Sequence, residues 1–218
     1  MLSSHTRPVI DNAIPQKTVD EQISRRSFFR NVSSAAIAGA LAKVTAAAQS
    51  VDSLDGQKPL GPEPIKLVLQ VNGSRHEVEV EPRVTLLDVL RNRLRLTGAK
   101  EVCDRATCGA CTVLVNGQPV YSCMKLAVEM QAHEITTIEG LGSPTNLTPI
   151  QRALVDCDAL MCGYCTPGFV MSLTALFSAK PKPTLEEIKK ACSGNLCRCG
   201  TYPRIFEATQ RVAEAGPS

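Results

Sequence analysis

"CDRATCGACTVLVNGQPVYSC" (Cys103–Cys123) places Cys103, Cys108 and Cys111 at the spacing C-x4-C-x2-C, with Cys123 beyond a short apolar segment. That spacing is the plant-type arrangement for a [2Fe–2S] cluster, in which four thiolates hold two irons. The intervening residues suit the task. Gly109 lets the backbone approach sulfur closely, so that N–H groups can offset the charge of a thiolate. "TVLVNGQPVY" alternates in polarity around Asn116-Gly117, a tight hairpin turn, and this delivers the fourth cysteine on a return strand. Zinc or a pair of disulfides are the rival uses of four cysteines, and spacing alone leaves them open.

Upstream, Ile65, Leu67, Leu69 and Val71 alternate with their neighbours, Asn72-Gly73 supplies another hairpin turn, and Val78 and Val80 mark the returning strand. Thr85 caps a helix whose Leu86, Leu87, Leu90 and Leu94 recur at helical spacing, and Gly98 is expected to end it. Downstream, "EITTIEGL" (Glu134–Leu141) reads as one more strand. Two hairpins around one helix predict a small α+β sheet domain over residues 65–143.

Beyond it the strand signals vanish. Helical periodicity predicts helices at 148–157, 166–179, 184–192 and 203–214, an all-α domain over residues 144–218. Thr166-Pro167, and Thr184 with Glu187, are helix-start signals. "MCGYCTPG" (Met161–Gly168) holds Cys162 and Cys165, and "SGNLCRCGTY" (Ser193–Tyr202) holds Cys197 and Cys199. Each pair precedes a predicted helix, whose amides and dipole then face the thiolates. C-x-C is a poor disulfide and a tight fit for zinc, whereas two close thiolate pairs suit a second two-iron cluster. Four helices this small gain from such an internal staple.

The front of the chain reads as an address. "SRRSFFR" (Ser24–Arg30) sets paired arginines before an Ala-rich run from Val32 to Ala42, with a cleavage point after Ala48. Residues 1–48 are thus expected to be a twin-arginine signal peptide, which implies a transient meeting with that translocon and export of folded protein to the periplasm. Cleavage and retention as a tether both stay open. Residues 49–64, rich in Pro and Gly, form a linker. A protein that folds before export can carry a metal cofactor outward, so ten cysteines need not mean disulfides. The excess positive charge lies at the front, where residues 1–48 hold six Lys/Arg against three Asp/Glu. The balanced remainder has no Trp, so it offers neither a phosphate-binding field nor a stacking platform, and nucleic acid is a poor partner.

"CDRATCGACTVLVNG", "EITTIEGL", "CGYCTPGFVMS" and "SGNLCRCGTY", in that order, resemble the iron–sulfur subunit of molybdenum hydroxylases, the xanthine dehydrogenase and aldehyde oxidoreductase superfamily. With the export signal, the pattern looks most like the small subunit of periplasmic aldehyde oxidoreductase; "CRCGTYPRI" also looks like that of isoquinoline 1-oxidoreductase. The resemblance covers about residues 65–214 and implies a β-grasp, plant-type ferredoxin-like domain followed by a four-helix domain, each with one [2Fe–2S] cluster. Carried over by motif, Cys103, Cys108, Cys111 and Cys123 bind one cluster, and Cys162, Cys165, Cys197 and Cys199 the other. The resemblance further implies a large molybdopterin-binding partner that performs the chemistry on an aldehyde or an N-heterocycle. Electrons then leave through both clusters to an FAD-carrying subunit, a cytochrome or another acceptor. The chain itself is then a non-catalytic subunit of an oxidoreductase. A stand-alone exported ferredoxin is the rival, and it leaves the helical cysteines unused.

Two departures stand out. Met161 sits where the family often has a pterin-contacting Gln, and Ala106 where it often has Gly, a strained choice if φ is positive there. Cys157 and Cys192 match no ligand position and read as buried apolar side chains. Asp104 and Arg105 read as solvated loop charges, Arg198 as a spacer or partner contact, and His76 and His133 receive no role.

Overall fold

The computed structural model describes residues 61–216. The expected signal peptide (1–48) and all but the last four residues of the expected linker (49–64) lie outside the described residues.

Strands β1 (Ile65–Val71) and β2 (Ser74–Val80) pair antiparallel with Ile65 opposite Val80. Asn72 and Gly73 turn between them with φ of 52° and 73°, the left-handed pair that a two-residue hairpin needs. β3 (Thr112–Val115) and β4 (Gln118–Tyr121) repeat the device through Asn116 and Gly117 at φ 50° and 77°. The short β5 (Glu134–Thr136) runs between the hairpins, parallel to β1 and antiparallel to β3, giving the order β2-β1-β5-β3-β4. Leu67, Leu69, Val71, Val113 and Ile135 cover one core with Leu86, Leu87 and Leu90. The expected α+β arrangement of two hairpins and a helix is present.

Two expectations need correction. The helix after Thr85 is only α1 (Leu86–Asp88), widening at once into a π-turn over Val89–Arg93. It stops at Leu94, well before Gly98, because Arg95 takes the left-handed conformation at φ 61° and the Leu96 amide closes back on the Leu90 carbonyl. Gly98 has another use: a Cβ there would collide with Ile138, while its amide donates to Glu139 at 2.7 Å. "EITTIEGL" is likewise a strand for only three residues. The Asn72 side chain captures the Thr137 amide at 2.8 Å and its hydroxyl at 2.9 Å, and the chain leaves the sheet in a 3-10 turn over Ile138–Gly140.

Helices α2 (Pro149–Asp156), α3 (Thr166–Ala179), α4 (Leu185–Cys192) and α5 (Tyr202–Ala215) follow. Thr148 with Gln151, and Thr184 with Glu187, form capping boxes at α2 and α4. Gly168 through Leu173 of α3 are buried without a break, because this helix packs on β3 as well as on α2 and α4. Among the described residues, no helix is long and apolar enough to cross a membrane.

Candidate metal centres

None of the ten cysteines is joined in a disulfide. Hairpin β3–β4 sets the geometry of the first group. Cys111 precedes β3 and Cys123 lies in the 3-10 turn (Ser122–Met124) after β4, so the register of Thr112 with Tyr121 brings both to one end. Ser122 fixes that end by donating its hydroxyl to the Cys111 carbonyl at 2.7 Å. Burial, then the neighbouring Cys123 thiol, pushes the Cys111 thiol up to about 12.

The loop from Cys103 to Cys111 wraps the other two thiols. Asp104, Ala106 and Gly109 take φ of 51°, 55° and 70°, so the backbone curls with successive N–H groups turned inward, an anion-binding concavity. The Ala106 amide donates to Cys123 Sγ at 3.4 Å and the Thr107 amide to Cys103 Sγ at 3.3 Å. Burial opposes ionisation at Cys103, but the N–H groups of Arg105, Thr107 and Cys108 outweigh it and hold the thiol down at about 7. Ala106 therefore carries the strain that the sequence suggested. Asp104 and Arg105 are exposed loop charges, as expected.

The second group is built at two helix starts. Cys165 is the N-cap of α3, and the segment ending in Thr201, the N-cap of α5, supplies Cys197 and Cys199. Gly163 and Gly200, at φ 77° and 78°, turn the chain within each segment. Cys165 and Cys197 face each other. The expected pull of the helix start on Cys165 is overridden: burial first, then the Cys197 thiol, pushes it up to about 12. Burial also opposes ionisation of Cys197, but the hydroxyl and amide of Thr201 outweigh it, leaving that thiol at about 7. Cys162 and Cys199 are exposed, and so are the apolar side chains of Met161, Tyr164 and Leu196 in the same two segments.

Among the described residues, no three His, Cys, Asp or Glu side chains converge as ligands of one ion. The thiols meet in twos: Cys103 with Cys108, Cys111 with Cys123, and Cys165 with Cys197. A two-iron cluster asks for this, since each iron takes two of the four thiolates. Cys157, the C-cap of α2, and Cys192, the last residue of α4, are buried as expected, in the apolar core that also takes in Cys197 and packs against Cys165.

The two groups are joined through residues that sequence reasoning passed over. The Leu196 amide donates to the Cys108 carbonyl at 2.9 Å. Asn195, almost fully buried, donates from Nδ2 to the Gly109 carbonyl at 3.0 Å and accepts the Ser172 hydroxyl at 2.8 Å. A Cβ on Gly168 would collide with that same Gly109 carbonyl, so α3 lies directly against the first loop. The "GN" of "SGNLCRCGTY" was the available signal, because a buried Asn beside a cysteine motif needs partners for both ends of its amide.

The fold and the paired thiols define a protein with two [2Fe–2S]-type binding sites, one on a sheet and one among helices. The family described as "2Fe-2S iron-sulfur cluster binding domain" matches residues 69–136, and that described as "[2Fe-2S] binding domain" matches residues 137–210. The aldehyde oxidoreductase iron-sulfur-binding subunit PaoA of Escherichia coli (strain K12) is 46% identical over 167 residues, 70% of this chain and 73% of that one. The nicotine 6-hydroxylase small subunit of Paenarthrobacter nicotinovorans is 48% identical over 144 residues, 66% of this chain and 87% of that one. The crystal structure of quinoline 2-oxidoreductase from Pseudomonas putida 86 contains a chain that superposes with a TM-score of 0.67 at 37% identity, covering 70% of this chain and 96% of that one. The chain belongs to the iron–sulfur small subunits of the molybdenum hydroxylases.

Proposed function

We propose that this chain is the electron-transfer subunit of an exported molybdenum-dependent oxidoreductase that acts on an aldehyde. Cys103, Cys108, Cys111 and Cys123 would hold one [2Fe–2S] cluster, and Cys162, Cys165, Cys197 and Cys199 the other. The donor set fits: four thiols in each group, close in twos at Cys103 with Cys108, Cys111 with Cys123 and Cys165 with Cys197, with backbone N–H groups on the sulfurs of Cys103 and Cys123. Bound there, the clusters supply one-electron redox chemistry.

The observation that carries the reading is the hydrogen bond from Leu196 N to Cys108 O at 2.9 Å. It joins a residue of the first group to the neighbour of Cys197, so the two centres are linked through bonds rather than across solvent. Met161, Tyr164 and Leu196 give the exposed second group an apolar rim suited to a large molybdopterin-binding partner. Met161 cannot donate the amide hydrogen bond of a Gln, so its contribution there is packing. The first group faces the acceptor, a flavin-binding subunit or a cytochrome. The paired arginines of residues 24–30 support export of the folded protein by the twin-arginine route to the periplasm. Likeness to PaoA favours an aldehyde as substrate, and likeness to the nicotine 6-hydroxylase small subunit makes N-heterocycles the second choice.

The test is to express the chain with its genomic neighbours, purify it and analyse the metals. Iron and acid-labile sulfide in equal amounts, with molybdenum on a larger co-purifying chain that oxidises aldehydes, is the expected result. Zinc without iron, or a chain that purifies alone, would overturn it.

A further inference from the structure

Four described α-helices start at a threonine N-cap, and one of the four breaks the pattern. Thr85, Thr148 and Thr184 accept the amides of Asp88, Gln151 and Glu187, as N-cap hydroxyls ordinarily do. Thr201, the N-cap of α5, makes no such bond. Its hydroxyl instead lies 3.2 Å from Cys197 Sγ. The turn that brings it there is specific: Gly200, at φ 78°, donates its amide to the Cys197 carbonyl and folds the chain back over the sulfur. The Thr201 carbonyl still accepts the Arg204 and Ile205 amides, so the helix starts normally and only the hydroxyl is diverted. A capping group given up at a functional sulfur is where a local rule is expected to yield to function.

We propose that Thr201 sets the reduction potential of the helical-domain centre by donating its hydroxyl to the Cys197 sulfur. This rests on the reading of Cys197 as a cluster ligand. A metal-bound thiolate has no proton, so the contact can run only from hydroxyl to sulfur. One electron passed from the large partner to a cluster held there, with no proton crossing, would place part of its negative charge on Cys197 Sγ, where the Thr201 O–H dipole would hold it. The reduced state is favoured and the potential raised, because hydrogen bonds to cluster sulfurs are among the settings that fix it. Burial of Cys197 keeps water from substituting for the hydroxyl. Thr201 is a positioning and tuning residue, not a catalytic one.

The experiment is redox potentiometry of the intact complex followed by electron paramagnetic resonance, comparing wild type with Thr201→Val and Thr201→Ser. Thr201→Val is expected to lower the one-electron equilibrium constant for reduction of one centre roughly tenfold, about 59 mV, leaving the other unchanged. Thr201→Ser is expected to restore the wild-type value. An unchanged potential in a fully loaded Thr201→Val protein overturns the proposal. Thr201→Ala makes the same deletion with a smaller side chain. Loss of the second signal in both the Val and Ala variants would assign Thr201 to assembly instead, and also overturns it. A wild-type complex with only one two-iron signal would overturn the ligand assignment itself, and with it this inference.

Discussion

Asn195 donates its side-chain amide to the Gly109 carbonyl at 3.0 Å across 86 residues of sequence, and this bond pins the helical thiol group to the loop of the sheet-bound one. Its other end accepts the Ser172 hydroxyl, and its own carbonyl accepts Tyr202 Oη at 3.3 Å. One buried residue thus ties together the Cys103–Cys111 loop and α3 through its side chain, and the start of α5 through its backbone.

Asn195→Ala leaves the buried Ser172 hydroxyl without its partner, while the Gly109 carbonyl keeps the amide and hydroxyl of Thr112. The expected cost is about 1–3 kcal/mol, read as a fall in thermal midpoint of the intact protein. Asn195→Asp is expected to fare no better, since a carboxylate oxygen replaces the donor that faces the Gly109 carbonyl. A variant as stable as wild type would show that the linkage does not hold the two halves.

Gly168 gives the opposite of the usual helix result. Replacing a helical Gly by Ala ordinarily stabilises, by up to about 1 kcal/mol in a helix interior and less in the first turn, where Gly168 lies. Here the new Cβ meets the Gly109 carbonyl, a backbone atom that cannot swing aside. Gly168→Ala is expected to destabilise by about 1–3 kcal/mol, as overpacking does, in the same melting measurement.

These relationships mark where sequence reading stops. The hairpins at Asn72-Gly73 and Asn116-Gly117 were legible because a two-residue turn needs left-handed backbone that Asn and Gly supply locally. The helix at Thr184 was legible from its capping box, and the gathering of Cys103 with Cys108 and of Cys111 with Cys123 from their spacing. The early stop at Arg95 was not, because an Arg in the left-handed region is a tertiary imposition. Nor was the three-residue β5, which ends when Asn72, 65 residues away, takes the Thr137 amide. Asn195 and Thr201 stayed unread for the same reason: their partners are set by the packing of α3 and by the turn at Gly200.

Cys157 and Cys192 separate ligand from filler. Burial pushes the Cys192 thiol up to about 12, as it does Cys111 and Cys165, but those two also feel a neighbouring thiol and Cys192 feels burial alone. Cys157→Ala and Cys192→Ala are expected to retain full iron and sulfide content while losing modest stability. Loss of iron in either would mean that a ligand has been misassigned.

Glu187 gives a pH-dependent signature in α4. The Lys180 ammonium first, then the amide and hydroxyl of Thr184, hold its carboxyl at about 2, below the ordinary 4.5. A depressed carboxyl stabilises the fold above its unfolded value and loses that contribution as pH falls through the folded one. The difference in thermal midpoint between wild type and Glu187→Gln is therefore expected to be constant above about 4.5 and to shrink towards pH 2. The pair is exposed, so the difference should be small and reduced further by salt. A difference that grows with acid would contradict the assignment.

The central claim is that eight of the ten cysteines form two separate two-iron sites. Electron paramagnetic resonance of the dithionite-reduced complex tests it most directly, with Cys199→Ser and Cys108→Ser beside wild type. The account predicts two distinguishable [2Fe–2S] signals in wild type, with Cys199→Ser altering only one and Cys108→Ser only the other. A single signal in wild type, or one signal altered by both substitutions, would contradict it.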